Sequence, residues 1–232
     1  MSTTPETTRR RCPDERPQQI VDAALEVFGE RGLAGARLDD IAQRAGVAKG
    51  TIYLYFPNKE ELFREVVRRT IVARLDRAER ELADATDADA AVQMQTFMHG
   101  WWEFACTTDF RTVYRLVVGE LHRFPDLADF YIREVAGRAQ QIVGGVITRG
   151  VEQGVFRPVD QFSTARMIAS LLITQANWAG KTHALVRQQM EGVSLDAVRD
   201  QVCDFVFHAL RPEPLGRLEG PIDTGASRAQ EP

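Results

Sequence analysis

Lys49, Gly50, Thr51, Tyr53 and Tyr55 lie within one seven-residue stretch. Together they carry the chemistry that a nucleic-acid groove accepts. An ammonium and two phenols suit phosphates, a hydroxyl suits a phosphate or a base edge, and a glycine lets backbone approach closely. Arg37 and Lys59 flank the stretch with two more cations. Lysine is scarce in this chain: of 29 basic residues only Lys49, Lys59 and Lys181 are lysines, so two of the three fall in or beside the segment. Asn58 and Glu61 form an N-x-x-E capping box that places Lys59 at the first position of a helix, where a cation opposes the macrodipole. A phosphate held jointly by the free N–H groups and the ammonium would resolve that mismatch; a solvated lysine would tolerate it at a cost of about a few tenths of a kcal/mol.

The elements that must position these residues are legible in RLDDIAQRAGVAKGTIYLYFPNK, Arg37 to Lys59. Leu38, Ile41, Ala42 and Ala45 fall at i, i+3, i+4 and i+7 and predict one short helix, with Asp39, Asp40, Gln43 and Arg44 facing water. Gly46 follows the last apolar position, where a residue tolerating positive φ reverses the chain, and Val47 plugs the angle. A second helix follows, turning Ile52 and Phe56 inward and Lys49, Gly50, Thr51, Tyr53 and Tyr55 outward. Two short helices at this spacing predict a helix-turn-helix that lies on DNA.

From Gln19 to Val67 the chain resembles the N-terminal DNA-binding domain of the TetR family of bacterial transcription regulators, through IVDAALEVFGERG and then LDDIAQRAGVAKGTIYLYFPNKEELF. The resemblance implies an all-α fold: an N-terminal three-helix helix-turn-helix domain, then a helical ligand-binding and dimerisation domain. It also implies a homodimer on an inverted-repeat operator in double-stranded DNA, and a small-molecule effector. Two departures stand out. Arg37 replaces the Ser or Thr that the family uses to cap the second helix and touch a phosphate, and Ala48 replaces a frequent Ser.

The charge balance fits local rather than general DNA contact. The net charge is −4, yet Arg9 to Lys59 holds nine basic against seven acidic residues, so the acidic excess lies in the rest of the chain. No apolar run approaches the roughly 20 residues that a membrane span needs, so a soluble cytoplasmic protein is expected. Cys12, Cys106 and Cys203 form no C-x-x-C pair and no disulfide is expected.

Residues 1–15, with Arg9, Arg10 and Arg11, read as a flexible basic arm, and 16–62 as the DNA-binding domain. Residues 63–211 read as the effector and dimerisation domain, and 212–232 as a disordered tail. Pro17 opens the first helix, Ile20, Ala24, Val27 and Phe28 form its buried stripe, and Gly32 ends it. After Asn58 an uninterrupted helix is expected through Leu82. Further helices are expected over Ala90–Cys106, Phe110–Arg123, Pro125 to Gly150, and Ser163 to about Lys181, with a last one capped by Ser194.

Ile168, Leu171, Leu172 and Gln175 on one late helix, with Val198, Val202, Phe205 and Val206 on the next, offer more apolar surface than a terminal pair buries alone. Doubling them across a two-fold axis makes a four-helix bundle, the mode by which the TetR family dimerises. For an effector pocket the candidates are Phe97, Trp101, Trp102, Phe104, Tyr114, Phe130 and Trp178, with Glu120 and Asn177 among the polar groups. The effector expected there is apolar or aromatic. His99, Glu103 and Cys106 at i, i+4 and i+7 present three ligand types, but such spacing arises readily by chance and no metal or other cofactor is assigned. The chain lacks G-x-S-x-G, the phosphate-binding G-x-x-x-x-G-K-[ST], H-E-x-x-H and G-x-G-x-x-G, so no catalytic residues are assigned. A repressor released by its effector is the leading expectation. An activator, a ligand-independent regulator, a helical adaptor or an enzyme are the alternatives.

Overall fold

The computed structural model describes residues 16–85, 88–180, 188 and 191–212, and all regular structure among them is helical. The Arg9–Arg11 arm, Cys12, Lys181 and all but the first residue of the 212–232 tail lie outside the described residues. Helix α1 spans Arg16–Gly35 and buries Ile20, Ala24, Val27 and Phe28. Gly32 breaks it with φ 72°, yet hydrogen bonding resumes for one more turn, closed by Ala36 N–H on the Gly32 carbonyl at 3.2 Å. Thus Gly32 ends the regular run of α1, as expected, and is the hinge to one further turn.

Helix α2 (Leu38–Ala45) ends on Gly46, whose φ of 67° lets its N–H reach the Ala42 and Gln43 carbonyls. Helix α3 (Lys49–Tyr55) follows, then α4 (Lys59–Val67), capped by Asn58, whose side chain accepts from Glu61 N–H at 2.7 Å. Phe28 meets Phe63 edge to face at 5.8 Å, pinning α1 against α4.

The rod after Asn58 is continuous but not uniformly α-helical. A π-helical turn, Arg68–Val72, separates α4 from α5 (Ala73–Asp84). The β-branched run Thr70-Ile71-Val72 sits there, and the Thr70 hydroxyl donates back to the Val66 carbonyl at 2.7 Å, competing with the regular ladder.

The body begins with α6 (Ala90–Ala105), buried on most sides as its composition predicts, and α7 (Thr108–Glu120), which lies along α1. Thr107 caps α7, whose first residue, Thr108, lies two residues ahead of the Phe110 start read from the apolar pattern. Helix α8 (Pro125–Tyr131) passes through a second π-helical turn, Ile132–Gly137, into α9 (Arg138–Glu152). Asp160 starts α10 (Gln161–Ala179) by accepting from Ser163 N–H at 2.8 Å, so the helix begins two residues before the expected Ser163. Helix α11 (Leu195–Leu210) is capped by Ser194 as expected.

Helix α10 packs against α9, α11 and α6, so part of the apolar surface expected at a dimer seam is used within the chain. Ile168, Leu172, Val198, Val202 and Val206 are buried within the chain's own core, Leu171 and Gln175 are half-buried, and Phe205 alone of the eight is exposed. The helical spacing that marked them as apolar does not separate an intramolecular neighbour from a partner.

Candidate nucleic-acid interface

Helix α3 turns Ile52 and Phe56 into the core and leaves Tyr53, Leu54 and Tyr55 outside, Leu54 at 83% exposure. Lys49 and Gly50 are exposed too, and Thr51 is half-buried. Leu54 escaped the sequence reading because an aliphatic residue in an amphipathic helix reads as core; its offset from the Ile52/Phe56 face was the available signal. Beside two phenols it supplies an apolar contact of the kind that meets a thymine methyl. A Cβ built at Gly50 meets nothing within 4 Å, so the protein's own packing does not require a glycine there.

The two helices of the motif are held in register by ion pairs. Lys49 Nζ lies 2.8 Å from Asp39 Oδ2, and this bond from α3 to α2 raises the ammonium's pKa, keeping it cationic. Arg44 bridges α2 to Glu26 and Glu30 of α1 at 2.9 and 2.8 Å. Its bond to Glu30 holds that carboxyl below the usual range. Such exposed pairs contribute little to stability singly; their effect here is orientation.

Arg37 is exposed and its side chain makes no capping bond to α2, as the departure from the family pattern predicts. Lys59 has a structural partner that sequence reasoning missed. Its Nζ lies 2.8 Å from the Ala34 carbonyl and 3.4 Å from that of Ala36, so the ammonium closes the carbonyl end of α1. A cation at the first position of α4 is therefore explained by the negative end of α1, a neighbour that is distant in sequence.

The same end of α1 is gripped from the body. Glu120, the last residue of α7, accepts Leu33 N–H at 3.0 Å through Oε1 and Ala34 N–H at 2.8 Å through Oε2. Arg115, one turn earlier, donates to the Gly29 carbonyl at 2.7 Å. Glu120 is thus part of the head–body junction and not of an effector pocket, a correction to its sequence assignment. The rod is fixed at its far end by Arg138 of α9, paired with Asp76 and Glu79 of α5. Nearer the head, Arg68 and Arg64 lie over the Phe130 ring at 5.3 and 5.9 Å.

The other pocket candidates separate similarly. Phe97, Trp101, Phe104 and Tyr114 stack with Phe110 into one run of rings with centroids 5.0 to 6.2 Å apart. Trp102 is buried, Phe130 lies beneath the rod, and Trp178 is 51% exposed. A small cavity of about 40 Å³ lies beside them between α5 and α6, lined by Ala78, Leu82, Val92 and Phe97 among others. A larger, open cleft of about 640 Å³ runs between α7 and the end of α10, and includes Tyr114 and Asn177. His99 and Glu103 fall in a separate groove with Arg74 and Arg77.

An exposed recognition helix carried on a three-helix head, followed by an all-helical body, agrees with the comparisons. Residues 20–66 match the family model described as bacterial regulatory proteins, tetR family, and residues 92–204 match that of the AefR-like transcriptional repressor C-terminal domain. The chain belongs to the TetR family of bacterial transcription regulators. It is a helix-turn-helix DNA-binding regulator. Among TetR-type relatives, the Streptomyces coelicolor repressor SCO4008 is 28% identical over 83% of this chain and 93% of its own. The fatty acid metabolism regulator protein of Bacillus subtilis is 29% identical over 60% of this chain and 71% of its own. A transcriptional regulator from Saccharomonospora viridis, solved in complex with choline, superposes with a TM-score of 0.69 at 27% identity, covering 86% of this chain and all of that one. No described helix is long and apolar enough to cross a membrane.

Proposed function

We propose that the protein is a homodimeric, cytoplasmic repressor whose two α3 helices read the halves of an inverted-repeat operator, and that a small molecule bound in the 63–211 body releases it. The observation that carries the DNA reading is the α3 surface, where Tyr53, Leu54 and Tyr55 stand free beside Lys49 and Gly50. Arg37 and Lys59 supply flanking phosphate contacts, Lys59 sharing its ammonium with the α1 carbonyls. No catalytic chemistry is assigned, in keeping with relatives that are named as regulators.

Dimerisation is supported by where exposed apolar side chains concentrate. Among the described residues eleven large hydrophobics are exposed; three lie on α3 and five on the last two helices: Phe162, Met167 and Trp178 on α10, with Leu195 and Phe205 on α11. Such a concentration away from the DNA face suits a two-fold four-helix seam. Two heads then need a separation near the ~34 Å groove repeat, and any shift of the α4–α5 rod spoils it.

A small-molecule effector is supported by a relative solved with choline and by another that regulates fatty acid metabolism. The test is a fluorescence-anisotropy titration of DNA from upstream of the protein's own gene. Saturable, salt-dependent binding to one inverted repeat by a dimer is expected. Equal affinity for scrambled DNA would refute operator recognition.

A further inference from the structure

The cleft between α7 and the end of α10 has an unusual lining: Arg111, Arg115, Tyr114 and Asn177, with Thr108, Thr112, Val118 and Gly119. It contains two guanidiniums, a phenol, two hydroxyls and a carboxamide, and among the described residues no carboxylate. Arg111 and Arg115 are one helical turn apart, and among the described residues neither pairs with an acidic side chain, whereas other arginines of the body do. Like charges at that spacing repel unless an anion lies between them.

Arg111 is held in place from behind. Its guanidinium packs on Gly180, where a Cβ would come within 2.7 Å of Cζ, and Nη2 reaches the Ala176 carbonyl only at 3.4 Å. Its Nε is buried and has no hydrogen-bond partner among the described residues, and the side chain also lies beside the Cys106 thiol. A buried donor left unmet beside an acid-free cleft is a position prepared for an acceptor. The acidic groups nearby, Asp22, Glu26, Glu30 and Asp109, line the adjoining groove on the α1 side, which only Arg115, Thr108 and Thr112 share with the cleft.

We propose that this cleft binds the anionic head, carboxylate or phosphate, of a small molecule that controls DNA binding. The inference rests on the effector-release reading above. Arg111 is the anchor, Asn177 and Tyr114 are the adjoining hydrogen-bonding groups, and the exposed apolar side chain of Val118 meets the ligand's body. Arg115 couples the site to the head, because the guanidinium that turns toward an anion is the one now holding the Gly29 carbonyl of α1. An anion competing for Arg115 loosens one of the contacts that fix α1 to α7.

The test uses the full chain with 4-fluorobenzoate and 4-fluorophenyl phosphate as probes and 4-fluorobenzamide as the neutral control, read by fluorine NMR. The expected result is saturable binding of at least one anion, none of the amide, a loss of at least tenfold in Arg111→Gln, and partial recovery in Arg111→Lys. Melting temperature and dimer mass of each variant verify folding; should Arg111→Gln fail to fold, Asn177→Ala carries the same comparison. Which anion binds decides between carboxylate and phosphate. Amide binding as tight as the anions, no anion binding to wild type, or equal anion binding to the variants overturns the site while leaving the effector reading intact. Anion binding that leaves operator affinity unchanged overturns the coupling through Arg115.

Discussion

Glu120 closes over Gly32: the glycine takes φ 72°, and a Cβ there would collide with the Glu120 carboxylate that holds the next two backbone N–H groups. The hinge in α1 and the end of α7 are therefore one structural unit joining head to body. Glu120→Gln keeps a single acceptor oxygen and turns an NH2 toward a backbone donor. It should destabilise the fold by about 1–3 kcal/mol. Gly32→Ala should cost at least as much, since φ 72° with ψ 168° is a backbone conformation open essentially to glycine alone and costs another residue about 1–3 kcal/mol. Urea unfolding checks both, and unchanged midpoints would remove the junction from the argument.

Tyr53 and Lys59 should separate under mutation. Tyr53→Ala removes an exposed ring and should weaken operator binding without moving the melting temperature. Lys59→Ala should lower the melting temperature as well, because the Ala34 carbonyl loses its partner. If Lys59 also meets a phosphate, the salt dependence should flatten by about one unit per half-site. Operator titrations at several salt concentrations read both effects, and wild-type affinity in both variants would refute α3 as the reading helix.

Phe205 and Leu172 test the dimer. Phe205 is exposed on α11, so Phe205→Asp should give folded monomers that hold DNA poorly. Leu172 is fully buried within the chain, and Leu172→Asp should unfold it instead. Light scattering with circular dichroism distinguishes the cases; a folded dimer of Phe205→Asp would place the seam elsewhere.

Trp101 is core by its surroundings, at 4% exposure and stacked on Phe97 at 5.8 Å. Trp101→Leu should cost about 2–4 kcal/mol through the cavity it leaves. Trp178, half exposed, should contribute the red-shifted part of the emission, so Trp178→Phe should move the spectrum to the blue at little cost in stability. The opposite pattern would exchange their roles.

The amino-acid sequence by itself determined the helix-turn-helix, because that motif is local. Apolar spacing, Gly46 at the turn and the Asn58 cap lie within a few residues of what they organise, and the helices of the body declared themselves through the same periodicity. The tertiary structure decided whatever depends on a distant neighbour. It gave Lys59 the carbonyls of Ala34 and Ala36, moved Glu120 from a pocket to the head–body junction, and placed five of the eight seam candidates in the chain's own core. It also gathered Phe97, Trp101, Phe104, Phe110 and Tyr114 into one stack, and set Arg111 and Arg115 in a cleft without acids. Helical spacing records which side of a helix is apolar or charged; what that side meets is fixed only when helices far apart in the chain pack together.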